Sequence, residues 1–139
     1  MIDRQLIRSR IREIEESLSR LEEFREISRE RFLKERDLQD IASFRLLIII
    51  EASISICQHI CAREIHKAPG TYSECFAMLE ATEIISPGLS KKMQQMARFR
   101  NMLVHVYWDI DYSLVLDIIK ERLPDVRDYL NQIIKKYLL

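Results

Sequence analysis

Four side chains between residues 100 and 107 have the types and spacing to act together on an anion. They stand in the run Arg100-Asn101-Met102-Leu103-Val104-His105-Val106-Tyr107. Imidazole titrates near neutrality, so His105 can take or give a proton during a reaction, a contribution of typically ~10²–10⁴ in rate. The guanidinium of Arg100 is a planar fork of permanent charge that fits two phosphoryl oxygens at once. Asn101 precedes His105 by four residues, one turn away on a helix, where it can orient the imidazole or donate to a phosphate. Tyr107 can donate a hydrogen bond or stack on a base. At about 100° per residue, Arg100, Asn101 and His105 fan across roughly 140° of a helix, and Tyr107 is expected within about 20° of Arg100.

The opposite arc of that helix carries Met96, Phe99, Leu103 and Val106 at core-forming spacing and is expected to be buried. On the polar side Met93, Ala97 and Val104 are interleaved with the motif instead of Lys and Glu. Such a side is expected to lie against another surface. Charge points the same way: between Glu83 and Asp109 there is no acidic residue, whereas Lys91, Lys92, Arg98 and Arg100 all fall there. The segment is cationic within a chain of net charge zero, which suits an anionic ligand.

The motif reads R-x-x-x-x-H-x-Y with Asn directly after the Arg, and Trp108, Asp109, Ile110 and Asp111 follow. This resembles the signature of the HEPN ribonuclease domains, in particular the HepT-type toxins of toxin–antitoxin pairs with their HxYWxID run. Upstream, Glu51-Ala52 in an apolar helix and Tyr72-Ser73-Glu74 with Phe76 and Leu79 are also similar to that family, over roughly residues 38 to 135. Met96-Ala97-Arg98-Phe99 departs from it in lacking the glycine that often precedes the motif Arg.

The resemblance implies an endoribonuclease toxin with no cofactor and no metal. RNA is its substrate, and a neighbouring minimal nucleotidyltransferase (MNT) antitoxin silences it. Cleaving RNA without a metal requires deprotonation of the ribose 2′-OH, stabilisation of a dianionic phosphorane and protonation of the leaving 5′-oxygen. His105 and Arg100 are the catalytic candidates, with Asn101, Tyr107 and Glu51 binding or orienting. Two proton transfers but one motif histidine per chain favour a homodimer whose motif helices meet across a two-fold axis. That seam is expected to use Met93, Ala97 and Val104. The resemblance also implies AMP transfer onto Tyr107 by the antitoxin; the alternative is that Tyr107 merely packs with Trp108 and the antitoxin acts by binding. A second reading of the whole chain is a non-catalytic module that holds a nucleotide or a nucleotidyltransferase partner.

The elements that must position these residues are helical. A chain of 139 residues, 47% hydrophobic, with two glycines and three prolines, favours long helices and short loops over any sheet. We expect a single HEPN-like domain over residues 1–139, an all-α, up-and-down bundle of about four main helices plus a short one. Three cysteines without a spaced framework fit a reducing compartment, and MIDRQLIRSR lacks a secretion pattern, so a cytoplasmic protein is expected.

Along the chain, Ile7, Ile11, Ile14, Leu18 and Leu21 form the stripe of one long helix from Ile2 to about Lys34. From Ile41 to Ala62 the only charges are Arg45 and Glu51, so this helix should be the most buried. Its apolar run is well short of the ~20 residues a membrane span needs. Glu51 among isoleucines either pairs with Arg100 or lies at a wet edge. Cys57 and Cys61 share a helical face while His59 points about 160° away, so the three do not converge on one ion. Pro69-Gly70 ends the helix, and Thr71-x-x-Glu74 reads as a capping box. After Ser86-Pro87-Gly88 the motif helix is expected to start near Leu89 or Ser90. Asp111 caps a further helix that Pro124 either kinks or divides.

Overall fold

The computed structural model describes all residues 1–139 and contains helices and connecting turns, with no strand. Seven α-helices follow in order: α1 (Arg4–Glu22), α2 (Arg29–Lys34), α3 (Arg36–Ile60), α4 (Tyr72–Ala81), α5 (Pro87–His105), α6 (Tyr112–Glu121) and α7 (Leu123–Tyr137). The all-α class holds, but three helices are short (α2, α4 and α6), not one.

Side-chain ties give the directions of the long helices. The N–H of Asp3, at the start of α1, donates to His59 Nε2 near the end of α3 at 2.9 Å, and Arg10 Nε donates to Ser55 Oγ at 3.0 Å. Thus α1 and α3 run antiparallel. Arg4 bonds the carbonyl of Tyr137, while Glu22 pairs with Arg127 at 3.0 Å, so α7 also opposes α1. Ser86 N–H donates to Gln132 and Lys92 lies 3.4 Å from Asp125, which sets α5 against α7. Alternating directions close α1, α3, α5 and α7 into a four-sided bundle.

One apolar cluster of 37 buried residues fills it. The α1 stripe is within it as expected, with Ile7, Ile14, Leu18 and Leu21 fully buried. Phe76 and Tyr129 meet edge-to-face at 5.7 Å, and the Tyr129 hydroxyl donates to the Ser53 carbonyl at 2.9 Å, which satisfies a polar group inside the core.

The first helix does not reach Lys34. It ends at Glu22, a 3₁₀ turn spans Glu23–Glu26, and Ser28 caps α2 by accepting from the Arg31 N–H at 3.2 Å. The apolar stripe stops at Leu21, and Phe24 and Phe32 turn inward to stack edge-to-face at 6.5 Å, which requires the chain to bend between them. At the other end of the bundle the capping signals act as expected. Thr71 Oγ1 accepts from the Glu74 N–H at 3.1 Å, and the Glu74 carboxylate reaches back to the Gly70 N–H at 2.8 Å. Helix α3 closes earlier than Pro69-Gly70, through a π-helical turn at Cys61–Ile65 that ends on His66 in the left-handed region at φ 61°. Asp111 caps α6, and Pro124 sits in the first turn of a separate helix.

Candidate active site

Helix α5 carries the motif, and its start explains its register. Ser86 Oγ accepts from the Leu89 N–H at 3.3 Å and Pro87 occupies the first helical position, ahead of the expected start at Leu89 or Ser90. Met93, Met96, Ala97, Phe99 and Leu103 are buried.

Burial of Met93 and Ala97, each 1% exposed, overturns their placement on a dimer seam. Helix α4 covers that side of α5 within the chain: Ser90 Oγ donates to the Phe76 carbonyl at 3.3 Å, and Ser73 Oγ to the Gln94 carbonyl at 3.3 Å. Val104, the third residue of the expected seam, is half-buried. Val106, expected in the core, is 38% exposed because α5 ends at His105 and Val106 already leaves helical geometry at φ −127°, ψ 40°.

Arg100 is held from two other helices. Its Nε donates to Glu51 Oε1 on α3, so the isolated carboxylate does pair with the motif. The carbon of the guanidinium lies 4.8 Å from the centroid of the Tyr72 ring at the first position of α4, a cation–π contact. The Arg100 side chain is 14% exposed, whereas that of Glu51 is 45% exposed. Glu51 therefore does both things considered for it, pairing with Arg100 at a wet edge.

Asn101 and His105 are exposed on the same helix, one turn apart. Tyr107 does not return beside Arg100 on a continuing helix. It lies in a 3₁₀ turn, Tyr107–Asp109, 69% exposed, with its ring edge-to-face against Trp108 at 5.4 Å and 81°. Trp108 is itself 72% exposed. The structure thus joins Arg100 with Glu51, leaves Asn101 and His105 facing outward beside them, and sets Tyr107 at the rim.

Tyr72 was not assigned a role in the sequence, although Tyr72-Ser73-Glu74 belongs to the recognised pattern; an aromatic at the opening of a helix, away from the core stripe, was the available signal. Phe44 was also missed. It is 59% exposed and lies two turns before Glu51 on nearly the same face of α3. Beside Glu51 an open groove of about 410 Å³ runs between α1 and α3, lined by Arg10, Glu13, Glu16, Arg45 and Ile48 among others.

His59 and the cysteines separate as expected. His59 accepts from the Asp3 N–H, and burial, followed by the charge of Arg63, holds its pKa below the ordinary value. Cys57 and Cys61 instead meet Cys75, from α4, in the interior. No helix is long and apolar enough to cross a membrane.

The family model for ribonuclease HepT-like proteins matches residues 14–133. A tRNA nuclease HepT of Aphanizomenon flos-aquae (strain 2012/KM1/D3) is 32% identical over 134 residues, covering 96% of this chain and 90% of the relative. An mRNA nuclease HepT of Shewanella oneidensis is 26% identical over 102 residues, 73% of this chain and 77% of the relative. The fold matches that of a tri-AMPylated Shewanella oneidensis HEPN toxin solved in complex with MNT antitoxin, with a TM-score of 0.84, 25% identity and coverage of 96% and 98% of the two chains. It also matches YutE of Bacillus subtilis, described as a cytosolic protein of unknown function, at a TM-score of 0.83, 17% identity and coverage of 99% and 91%. With the family model spanning most of the chain and a nuclease relative matched along nearly all of it, the protein belongs to the HepT-like ribonuclease family.

Proposed function

We propose that this ribonuclease is the toxin of a HEPN/MNT toxin–antitoxin pair, a single HEPN-like domain that cuts RNA through Arg100 and His105 without a metal. The observation that carries the reading is the way Arg100 is held. Glu51 engages its Nε and Tyr72 supports its face, so the two terminal amino groups are the part left to meet a phosphate. A guanidinium ordered in advance loses little entropy when substrate binds and can stabilise the charge that grows on the phosphorane.

His105 ends the same helix, exposed, and Asn101 lies one turn before it. In our reading the imidazole moves the protons and Asn101 orients it or the phosphate. Among the motif and its two supporting residues Glu51 is the one carboxylate, and it is engaged by Arg100, a donor set that suits anion binding better than a divalent cation.

A homodimer supplies the second imidazole. The seam moves from Met93 and Ala97 to the surface the structure leaves apolar, Phe44 on α3 with Val106 and Trp108 after α5, all exposed. With α3 and α5 antiparallel, these residues lie together on one side of the Arg100–Glu51 pair, toward the His105 end, so a second copy seated there would bring two motifs into one cleft. The rim position of Tyr107 suits AMP transfer by an MNT nucleotidyltransferase, because its side chain is accessible without opening the core. The relative named a tRNA nuclease, matched along most of this chain, makes tRNA the first substrate to try.

The test is incubation of purified protein with total tRNA, and separately with messenger RNA, in the presence of a chelator. Wild type should cleave, and His105→Ala and Arg100→Ala should not while keeping their helical content. Cleavage retained by His105→Ala removes the mechanism; cleavage abolished by the chelator removes metal independence. The non-catalytic alternative is distinguished by wild-type protein that binds RNA or nucleotide yet leaves every phosphodiester intact.

A further inference from the structure

The interior holds a second group of chemically capable side chains, remote in character from the motif. Cys57 and Cys61 lie one turn apart at the end of α3, and Cys75 comes from the first turns of α4. All three are free thiols with no exposed surface. Their sulfurs lie within 4.8 Å of one another, and those of Cys61 and Cys75 are 3.6 Å apart.

These spacings bracket those of a coordination shell. With a metal–sulfur bond of about 2.3 Å, three thiolates around a zinc-sized ion sit roughly 3.8–4.0 Å apart in tetrahedral or trigonal arrangement. We propose that Cys57, Cys61 and Cys75 form a buried three-thiolate site for one soft divalent d¹⁰ ion of the Zn(II) or Cd(II) class.

Two further features support it. Cys61 opens the π-helical turn Cys61–Ile65, in which its carbonyl accepts from the His66 N–H at 2.8 Å. Turns of this kind are frequent at functional sites, and the exposed segment that follows, from His66 to Gly70, offers the entry path a buried ion needs. The hydroxyl of Tyr137 is buried without a hydrogen-bond partner, a free donor inside the bundle.

Binding balances as one divalent ion plus three thiols giving a tris-thiolate of net charge −1 and three protons released. A monovalent ion would leave −2 in a dry interior, which is why the divalent class fits better. Occupancy would clamp the end of α3 to the opening of α4, the helix whose Tyr72 supports Arg100.

The probe is Cd(II), titrated anaerobically into reduced full-length protein. One ion per chain should bind with a thiolate-to-metal charge-transfer band in the ultraviolet, and native mass measurement should show the ion added with three hydrogens lost. Cys57→Ala, Cys61→Ala and Cys75→Ala should each lose the band, and Zn(II) should compete for it. Wild-type protein that binds no Cd(II), or Cys57→Ala that binds it unchanged, overturns the proposal. Should a variant fail to fold, X-ray absorption of the loaded wild type decides alone: three sulfur neighbours support the site, and fewer overturn it.

Discussion

The aromatic ring of Tyr72 lies against the guanidinium of Arg100, 4.8 Å from ring centroid to the guanidinium carbon, so a residue of α4 sets the attitude of the motif arginine on α5. The contact is a positioning one. A cation–π pair at a partly exposed site contributes about 0.5–1 kcal/mol, so Tyr72→Ala should lower the cleavage rate roughly two- to fivefold. Tyr72→Phe keeps the ring face and should keep the rate. Single-turnover cleavage of tRNA by the two variants checks this, and equal losses in both would show that the hydroxyl, not the ring, matters.

Glu51 is expected to act through orientation and little through stability. An ion pair with one partner half exposed contributes about 0–1 kcal/mol to folding, so Glu51→Gln should shift the urea midpoint only slightly. Its kcat should fall about tenfold as the guanidinium loses its anchor, with KM changed less. A kcat at the wild-type level would mean that the pair is only a surface contact.

The relocated dimer seam makes a prediction different from the one the helical wheel alone suggested. Phe44→Glu and Trp108→Glu would set like charges against their symmetry mates and should yield folded, inactive monomers by light scattering. Ala97→Glu should instead unfold the bundle, since Ala97 is buried in the chain's own core. Wild-type protein that is monomeric at micromolar concentration would remove the two-chain cleft.

His59 should make the junction of α1 and α3 acid-sensitive. Its pKa is lowered in the folded chain from the ordinary 6.5, by burial first and then by Arg63. The unfolded chain therefore binds the proton more readily, and stability falls as pH drops from about 6.5 toward the folded value, levelling off below it. Protonation also removes the acceptor for the Asp3 N–H. Urea midpoints at about pH 7.5 and about pH 5 should separate wild type from His59→Gln, the wild type losing more on acidification; parallel losses would clear His59 of this role.

Modification at Tyr107 is tested by intact mass after incubation with the cognate nucleotidyltransferase and ATP. Added AMP should vanish in Tyr107→Phe, and an unchanged mass with inhibition intact would assign silencing to binding alone.

Much of the site was legible because its signals are local. Thr71 and Asp111 cap the helices that their neighbours implied, and a solitary carboxylate among isoleucines was already in need of a partner. Signals that depend on a third element were not. A helical wheel places Met93 and Ala97 on one side of α5 but cannot say that α4 covers that side. Cys75 is 14 residues beyond Cys61, and only packing of α4 on α3 brings their sulfurs together. The bend after Glu22 was hidden because the apolar stripe simply stops at Leu21, and its cause, the stacking of Phe24 on Phe32, spans the break.

Because α5 stops at His105 and Tyr107 stands outside the helical cylinder, a group attached to the phenol displaces no buried atom. Under the proposed modification of Tyr107, inactivation and folding would be separate variables: a modified copy should melt at the same temperature as an unmodified one. Cells that carry such a protein would then accumulate a dormant, intact stock, and removal of the attached group at the surface would return it to service with no refolding step.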